Sequence, residues 1–184
     1  AAGGSQRFGQ PKQLLPWKNE PLVRHVARQA LSAGLSPLIV VTGAASEAVG
    51  NALQDLPLQL VHNPAWTQGQ SSSLRAGVAS LPTACGSVLF LLADQPQIPA
   101  TLLRALVELH ATTLAPLIAP QAGGRRANPA LFDRAVFPDL LALEGDQGGR
   151  ALFSRYPAAW IPWLDESILL DVDTPEDYER LLAW

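Results

Sequence analysis

Short β-rich apolar runs alternate with stretches of helical periodicity along this chain, and that alternation limits its fold more than any other feature. The runs are Leu38-Ile39-Val40-Val41, Leu58 to Val61, Val88 to Leu92 and Leu117-Ile118-Ala119. Around them, Pro21 to Ala33 carries Leu22, Val26 and Ala30 at helical spacing, and Ser46 to Leu53 fills the space between the first two runs. Pro99 to Thr112 sets Leu102, Leu103, Leu106 and Leu109 on one face. Such an order reads as βαβ units on a parallel sheet. Pro21 suits a first helical turn and Gly34 a helix stop. Toward the end, Ile168-Leu169-Leu170-Asp171 reads as a short strand. After it, Thr174 is placed to cap a last helix, Pro175 to preset its first turn and Asp177 to close a capping box, with the helix running to Ala183. Neither an internal repeat nor a linker interrupts the 184 residues, so one domain spanning 1–184 is expected.

Composition narrows the function. With 48% hydrophobic residues, the chain can bury a core and disorder is excluded. A formal net charge of −3 without any basic block argues against nucleic-acid and membrane-surface binding, so phosphates must be met locally. Its apolar runs are far shorter than the ~20 residues that span a bilayer. The single Cys85 forms no internal disulfide and no Cys/His cluster has zinc spacing, which suggests a reducing, cytoplasmic location. The sequence holds no Met and opens on Ala1-Ala2-Gly3-Gly4, so a clipped start is expected.

That opening is chemically loaded. Between Ala1 and Lys12 stand Gly3, Gly4 and Gly9, together with Arg7 and Lys12. Glycines let backbone N–H groups approach phosphate oxygens, and the two cations supply charge that the acidic total lacks. Gln10 occupies the position where a Walker A loop needs Lys, and no three glycines fall at dinucleotide-fingerprint spacing. From composition alone, a phosphate loop and an ordinary glycine turn with two surface cations are equally good readings. Asp94 directly follows Leu91-Leu92-Ala93, which places a carboxylate near the carboxyl end of a buried strand, where ligand sites of open α/β sheets lie. A second carboxylate comes from Asp171 or Asp173. Two aspartates suffice for Mg²⁺, which takes its remaining ligands from water and substrate phosphates. His25, His62 and His110 read as structural.

The opening resembles the signature of the MobA-like nucleotidyltransferases, with Arg7, Phe8, Gly9, Pro11, Lys12, Leu14 and Leu15 in register. Ala93-Asp94-Gln95-Pro96 and Asp171-Val172-Asp173-Thr174-Pro175-Glu176-Asp177 resemble the family's metal-site motifs. Asn63-Pro64-Ala65-Trp66 followed by Gly69-Gln70-Ser71-Ser72-Ser73 is similar to the segment typical of its molybdenum cofactor cytidylyltransferase branch. Gly124 to Phe132 and Leu143 to Arg150 are similar to that branch as well. The resemblance implies a three-layer, Rossmann-like α/β fold with a mostly parallel sheet, whose first strand is largely missing ahead of Ala1. It implies a nucleotide site at Ala2, Gly3, Gly4, Ser5, Arg7, Lys12, Asn63, Ser71, Ser72 and Ser73, and catalytic roles for Arg7, Lys12, Asp94 and Asp173. Mg²⁺ or Mn²⁺ would sit on Asp94 and Asp173, and the second substrate would meet Arg125, Asn128 and Asp146. Arg125 and Arg126 could equally be a solvated loop, and Trp66 could pack in the core or cover the base. The reaction implied is CMP transfer from CTP to molybdopterin cofactor, with a molybdoenzyme or its maturation chaperone as a further partner. The alternatives are guanylyl or other nucleotidyl transfer, and a non-catalytic carrier of nucleotide or cofactor.

Overall fold

The computed structural model describes residues 1–4 and 8–184. In chain order the regular elements are β1 (Pro16–Trp17), β2 (Glu20–Pro21), α1 (Leu22–Ser32), β3 (Ile39–Thr42), α2 (Ser46–Leu53), β4 (Gln59–His62), α3 (Gln70–Ala79) and β5 (Ser87–Phe90). They continue with α4 (Ala100–Thr113), β6 (Leu117–Ala122), β7 (Arg125–Arg126), β8 (Ala130–Asp133), α5 (Phe137–Leu141), β9 (Ala158–Pro162) and α6 (Pro175–Leu182). Every apolar run except the last is a strand, and the expected helices fall within a residue or two of their sequence limits. Among the described residues, no helix is long and apolar enough to cross a membrane.

Strand β3 pairs in parallel with β4, from Ile39 opposite Gln59 to Thr42 opposite His62. The larger sheet runs β5-β8-β6-β7, with β9 beside β6. β9 is parallel to β6, whereas β8 is antiparallel to both β5 and β6. β5, β6 and β9 therefore share one sense, and β8 is the full-length strand that reverses it. Connection length explains the reversal: parallel neighbours need a crossover of a dozen or more residues, and only the 123–129 stretch separates β6 from β8.

Both faces of the larger sheet are covered. On one face Ile118 and Leu131 pack with Leu102, Leu103 and Leu106 of α4, Ala30 of α1 and Ile168. On the other, Leu117, Ala119, Ala130 and Phe132 meet Val78 of α3, Leu140 of α5 and Leu152. Successive strand residues point to opposite faces, so neighbouring positions of β6 and β8 divide between the two clusters. Helix, sheet and helix make the expected three-layer α/β arrangement. A third cluster joins the start of the chain to its end: Leu15, Trp17 and Leu22 pack against Val172 and Leu181, and Trp17 Nε1 donates to the Leu181 carbonyl at 3.2 Å.

One expected strand is absent. Glu166–Leu169 is a 3₁₀ turn, capped where Asp165 accepts from the Ser167 amide at 2.9 Å. Ile168 is fully buried, as its apolar character demands, but among the described residues it pairs with no strand. Beyond the turn the chain is tied by single bonds instead, including Val172 N–H to the Asp94 carbonyl at 3.1 Å. An apolar run this short does not distinguish a strand from a buried turn. The last helix follows the sequence reading: Thr174 and Asp177 form a reciprocal capping box on α6, with Pro175 in the first turn. Because Thr174 directly follows Asp173, the cap also fixes where that carboxylate leaves the helix. Thr174→Ala should lower unfolding stability in urea by about 1 kcal/mol, the usual worth of such a cap.

Candidate active site

Lys12 opens a 3₁₀ turn, Lys12–Leu14, directly after the extended residue Pro11. Its ammonium donates to Asp94 Oδ2 at 2.6 Å and to Asp173 Oδ1 at 2.7 Å. Asp94 lies in the turn after β5, beyond the strand end that the sequence suggests at Leu92. Asp173 precedes α6, and Lys12 reaches it through the cluster that packs Leu15 and Trp17 on Val172 and Leu181. Burial works against the Lys12 charge, but the two carboxylates outweigh it and raise its pKa. Asp94 Oδ1, the oxygen not facing Lys12, is buried and has no hydrogen-bond partner among the described residues.

Asp171 is held differently. Its Oδ1 accepts from Gln95 Nε2 at 2.6 Å, and burial together with the charges of Asp94 and Asp173 raises its pKa. The two acidic candidates near the tail therefore separate: Asp173 shares a cation with Asp94, and Asp171 is held by the amide next to Asp94 in sequence.

The glycine-rich start lies across from β3. Gly3, Gly4, Gly9, Gln10 and Pro11 line one side of a cleft of about 310 Å³, and Ala44 and Ala45 line the other. Ala44 N–H donates to the Ala2 carbonyl at 3.2 Å. Only glycine fits at position 43, because a Cβ there would come within 2.5 Å of the Ala2 carbonyl oxygen and 2.8 Å of the Trp66 ring. Trp66 is half-buried and also overhangs Gly4, where a Cβ would meet it at 3.1 Å. It covers the glycine segment instead of entering the core. Gln13 is buried, and its amide donates to the carbonyls of Ala1 at 3.2 Å and Gly3 at 3.5 Å. Ser5 and Arg7 lie outside the described residues.

At the start of α3 the serines behave unequally. Asn63 Nδ2 donates to Ser72 Oγ at 2.9 Å and Ser73 Oγ at 3.1 Å, while Ser72 donates its own proton to the Gly69 carbonyl at 2.8 Å. Asn63 Oδ1 accepts from the Ala65 amide. Ser71 Oγ is buried without a partner. Gly69 has φ +101°, and a Cβ on it would come within 2.4 Å of Gly145 and 2.7 Å of Asp146 Oδ1, so the 144–146 loop rests directly on this turn.

The second-substrate candidates are spread out. Arg125 is exposed at the tip of the β6–β7 hairpin, Asn128 lies between β7 and β8, and Asp146 is exposed beside Gly69. The histidines with described partners are structural: His25 Nδ1 meets Glu20 and His110 Nε2 meets Asp133, each at 2.9 Å. Sequence reading missed Gln13 and Gln95, and it left Trp66 open between the core and a covering position, of which the structure shows the ring over Gly4. A Gln carries no signal of which backbone or carboxylate it will meet, although Gln95 sits inside the recognised Asp94 motif.

Among the described residues, no group of three or more His, Cys, Asp or Glu side chains is arranged to hold a metal. Asp94 and Asp173 still suit Mg²⁺ or Mn²⁺. Both present oxygens to one cation, Asp94 keeps a buried oxygen unused, and such ions complete their shell with water and phosphate oxygens.

Residues 1–160 match the family model described as the MobA-like NTP transferase domain. A nicotine blue oxidoreductase of Paenarthrobacter nicotinovorans is 33% identical, with 99% of this chain and 93% of that protein covered. Purine catabolism protein PucB of Bacillus subtilis is 32% identical over 98% of this chain and 92% of its own length. The molybdenum cofactor cytidylyltransferase of Escherichia coli is 26% identical over 97% and 90%. Among solved structures, Rv0371c of Mycobacterium tuberculosis has 31% identity and a TM-score of 0.90, with 100% of this chain and 95% of that one covered. A manganese complex of the same protein has 29% identity and a TM-score of 0.81, with 99% and 94% covered.

Ionised Asp171 carries a cost in the folded chain that it does not carry in the unfolded one. Because its folded pKa is raised, the penalty is present above the ordinary carboxylate range and disappears below it. Asp171→Asn, which can still accept from Gln95, should raise the thermal midpoint at pH 7. The gain should vanish as the pH falls below about 4, and a pH series of melting curves measures both.

Proposed function

As the chain belongs to the MobA-like NTP transferase family, we propose that this nucleotidyltransferase moves CMP from CTP to the terminal phosphate of molybdopterin cofactor and releases pyrophosphate. The observation that carries the reading is the pair of aspartates gripping one cation beside a glycine-lined cleft, with Asp94 keeping a buried oxygen in reserve. The choice of acceptor and base is supported by the similarity to the E. coli molybdenum cofactor cytidylyltransferase and by the Asn63 to Ser73 segment.

An oxygen of the acceptor phosphate forms a bond to the α-phosphorus of CTP, and the bond from that phosphorus to the bridging oxygen of the β-phosphate breaks. The electron pair leaves with pyrophosphate. A phosphate monoester has a second pKa near ~6, so its oxygen is already largely ionised at pH 7 and needs no general base. What remains for the protein is alignment and charge neutralisation. The backbone of Gly3, Gly4 and Gly9 gives the triphosphate close approach, and Trp66 closes the cleft over Gly4. Lys12 neutralises phosphate charge as it builds on the leaving group, and Arg7 is assigned the same duty. Asp94 and Asp173 would hold a divalent metal, which would supply Lewis-acid stabilisation of phosphoryl oxygens when bound. Ser71, with its free buried hydroxyl, is the serine available to the nucleoside. Ser72 and Ser73 are held by Asn63, which makes them supports.

Side-by-side pyrophosphate release with CTP and GTP, molybdopterin cofactor and Mg²⁺ tests the assignment. Turnover should be faster with CTP, and a preference for GTP or release without acceptor would overturn it. Asp94→Asn should lower kcat by on the order of 100-fold, the usual effect of removing one electrostatic contact to transition-state charge, with the thermal midpoint preserved. Lys12→Ala should raise the KM for CTP as well as lower kcat.

A further inference from the structure

The segment that carries Asp173 reaches the site without a β-ladder. Among the described residues, neither 91–99 nor 167–173 belongs to a sheet, yet Asp94 and Asp173 each present an oxygen to the same ammonium. Side chains of the loop after β5 align the two segments. Leu170, Asp171 and Val172 are tied in turn to Gln97, Gln95 and Asp94. The Leu170 carbonyl accepts from Gln97 Nε2 at 2.7 Å, Asp171 Oδ1 accepts from Gln95 Nε2 at 2.6 Å, and Val172 N–H donates to the Asp94 carbonyl at 3.1 Å. The order is antiparallel, as in a hairpin, but amide side chains replace backbone groups on the loop side at Gln97 and Gln95. Asp173 follows at once, its N–H donating to the Asp171 carbonyl at 3.0 Å.

Gln97 anchors the far end of this array. Its second amide hydrogen goes to the Ser167 carbonyl at 3.1 Å, the same carbonyl that accepts from Leu170 N–H where the 3₁₀ turn closes. Both donors of the amide are therefore spent on the turn, while Gln97 Oε1 is buried with no partner among the described residues. Turning the amide over would set that oxygen against two carbonyls, so its orientation is fixed. An unpaired buried acceptor costs free energy, and a residue needed only for packing would avoid that cost by being apolar. Packing is supplied next door, where Ile98 and Ile168 share one core cluster. Such contact is non-directional: it brings the two segments together and leaves their register open. The amide hydrogens close it.

We propose that Gln97, supported by Gln95, is a positioning residue of the divalent-cation site, setting the register of 167–172 against 94–97 and thereby the separation of the Asp94 and Asp173 carboxylates. The role rests on these aspartates holding a metal, as the proposed function has it, and not on CTP, on the acceptor or on CMP transfer.

Mn²⁺ titrated into the nucleotide-free protein, with the paramagnetic resonance signal of the free ion as readout, tests it. Gln97→Met keeps the side chain's length and removes both donors. It should weaken Mn²⁺ binding about tenfold, the lower end of what losing the support behind a metal ligand costs. Gln97→Asn keeps the amide but withdraws it by one methylene, disturbs the core less, and should weaken binding in the same direction. Val136→Ala, a core change in the cluster on the opposite face of the sheet, should lower the thermal midpoint and leave Mn²⁺ affinity unchanged. Wild-type affinity in both Gln97 variants would overturn the proposal. So would an equal loss in Val136→Ala, which makes the effect one of stability alone. A wild-type protein that takes up no Mn²⁺ at millimolar concentration would remove the cation site and the positioning role together. If the Gln97 variants lose Mn²⁺ and the wild-type protein releases no pyrophosphate from CTP, the positioning role stands and the transferase reading falls. If they bind Mn²⁺ normally while the wild type turns over CTP, only the positioning role falls.

Discussion

One ammonium group draws together three segments that the sequence keeps far apart. Lys12 meets Asp94 and Asp173 at once, and Asp171 adds a third carboxylate whose ionisation the other two resist. The cluster carries more negative charge than one lysine neutralises. Partly buried ion pairs of this kind contribute little net stability, because desolvation consumes most of the attraction. Their geometry therefore has to be held by something else. The apolar contact of Leu15, Trp17 and Leu22 with Val172 and Leu181 does that, together with the capping box that ends the approach to α6. Core and cap hold the charges in place, so that the carboxylates stay close although their mutual repulsion opposes it.

Close backbone approach is the second device. At Gly43 and at Gly69 a Cβ would enter a neighbouring segment, so the absence of a side chain there is what lets the Ala2 segment reach the turn after β3 and the 144–146 loop reach α3. The second approach has a consequence for the serines. With Gly145 accepting from the Ser71 amide and Asn63 bridging Ser72 and Ser73, the first turn of α3 is fixed before any ligand arrives. Its one unspent buried hydroxyl is Ser71 Oγ. Three adjacent serines in the sequence thus divide into two held by Asn63 and one whose buried hydroxyl has no partner among the described residues.

Most of the fold was legible because periodicity and punctuation agree. The strands β3 to β6, the helices α1, α2 and α4, and the cap on α6 all follow from apolar spacing with Pro, Gly or Thr at the ends. Ile168 to Leu170 failed for a physical reason: burial alone made those residues apolar, and a turn buries them as well as a strand does. The reversal of β8 is written in the shortness of 123–129, but only once β6 and β8 are both known to be strands. At the site, Lys12, Asp94 and Asp173 stood out through motif resemblance, while their convergence on one nitrogen is a tertiary fact. Gln13 and Gln95 were invisible, since each acts through a contact with a distant carbonyl or carboxylate, and of the two places open to Trp66 only the tertiary structure selects the one over Gly4.

Charge distribution ties these elements into one argument. Two phosphate-bearing substrates brought into line repel each other, and an acidic protein aggravates that repulsion unless its cations are placed against it. Here most arginines are spent on ion pairs or on backbone carbonyls. Lys12 follows that pattern with its two aspartates, whereas Arg126 lies over the Phe153 ring and forms no ion pair among the described residues.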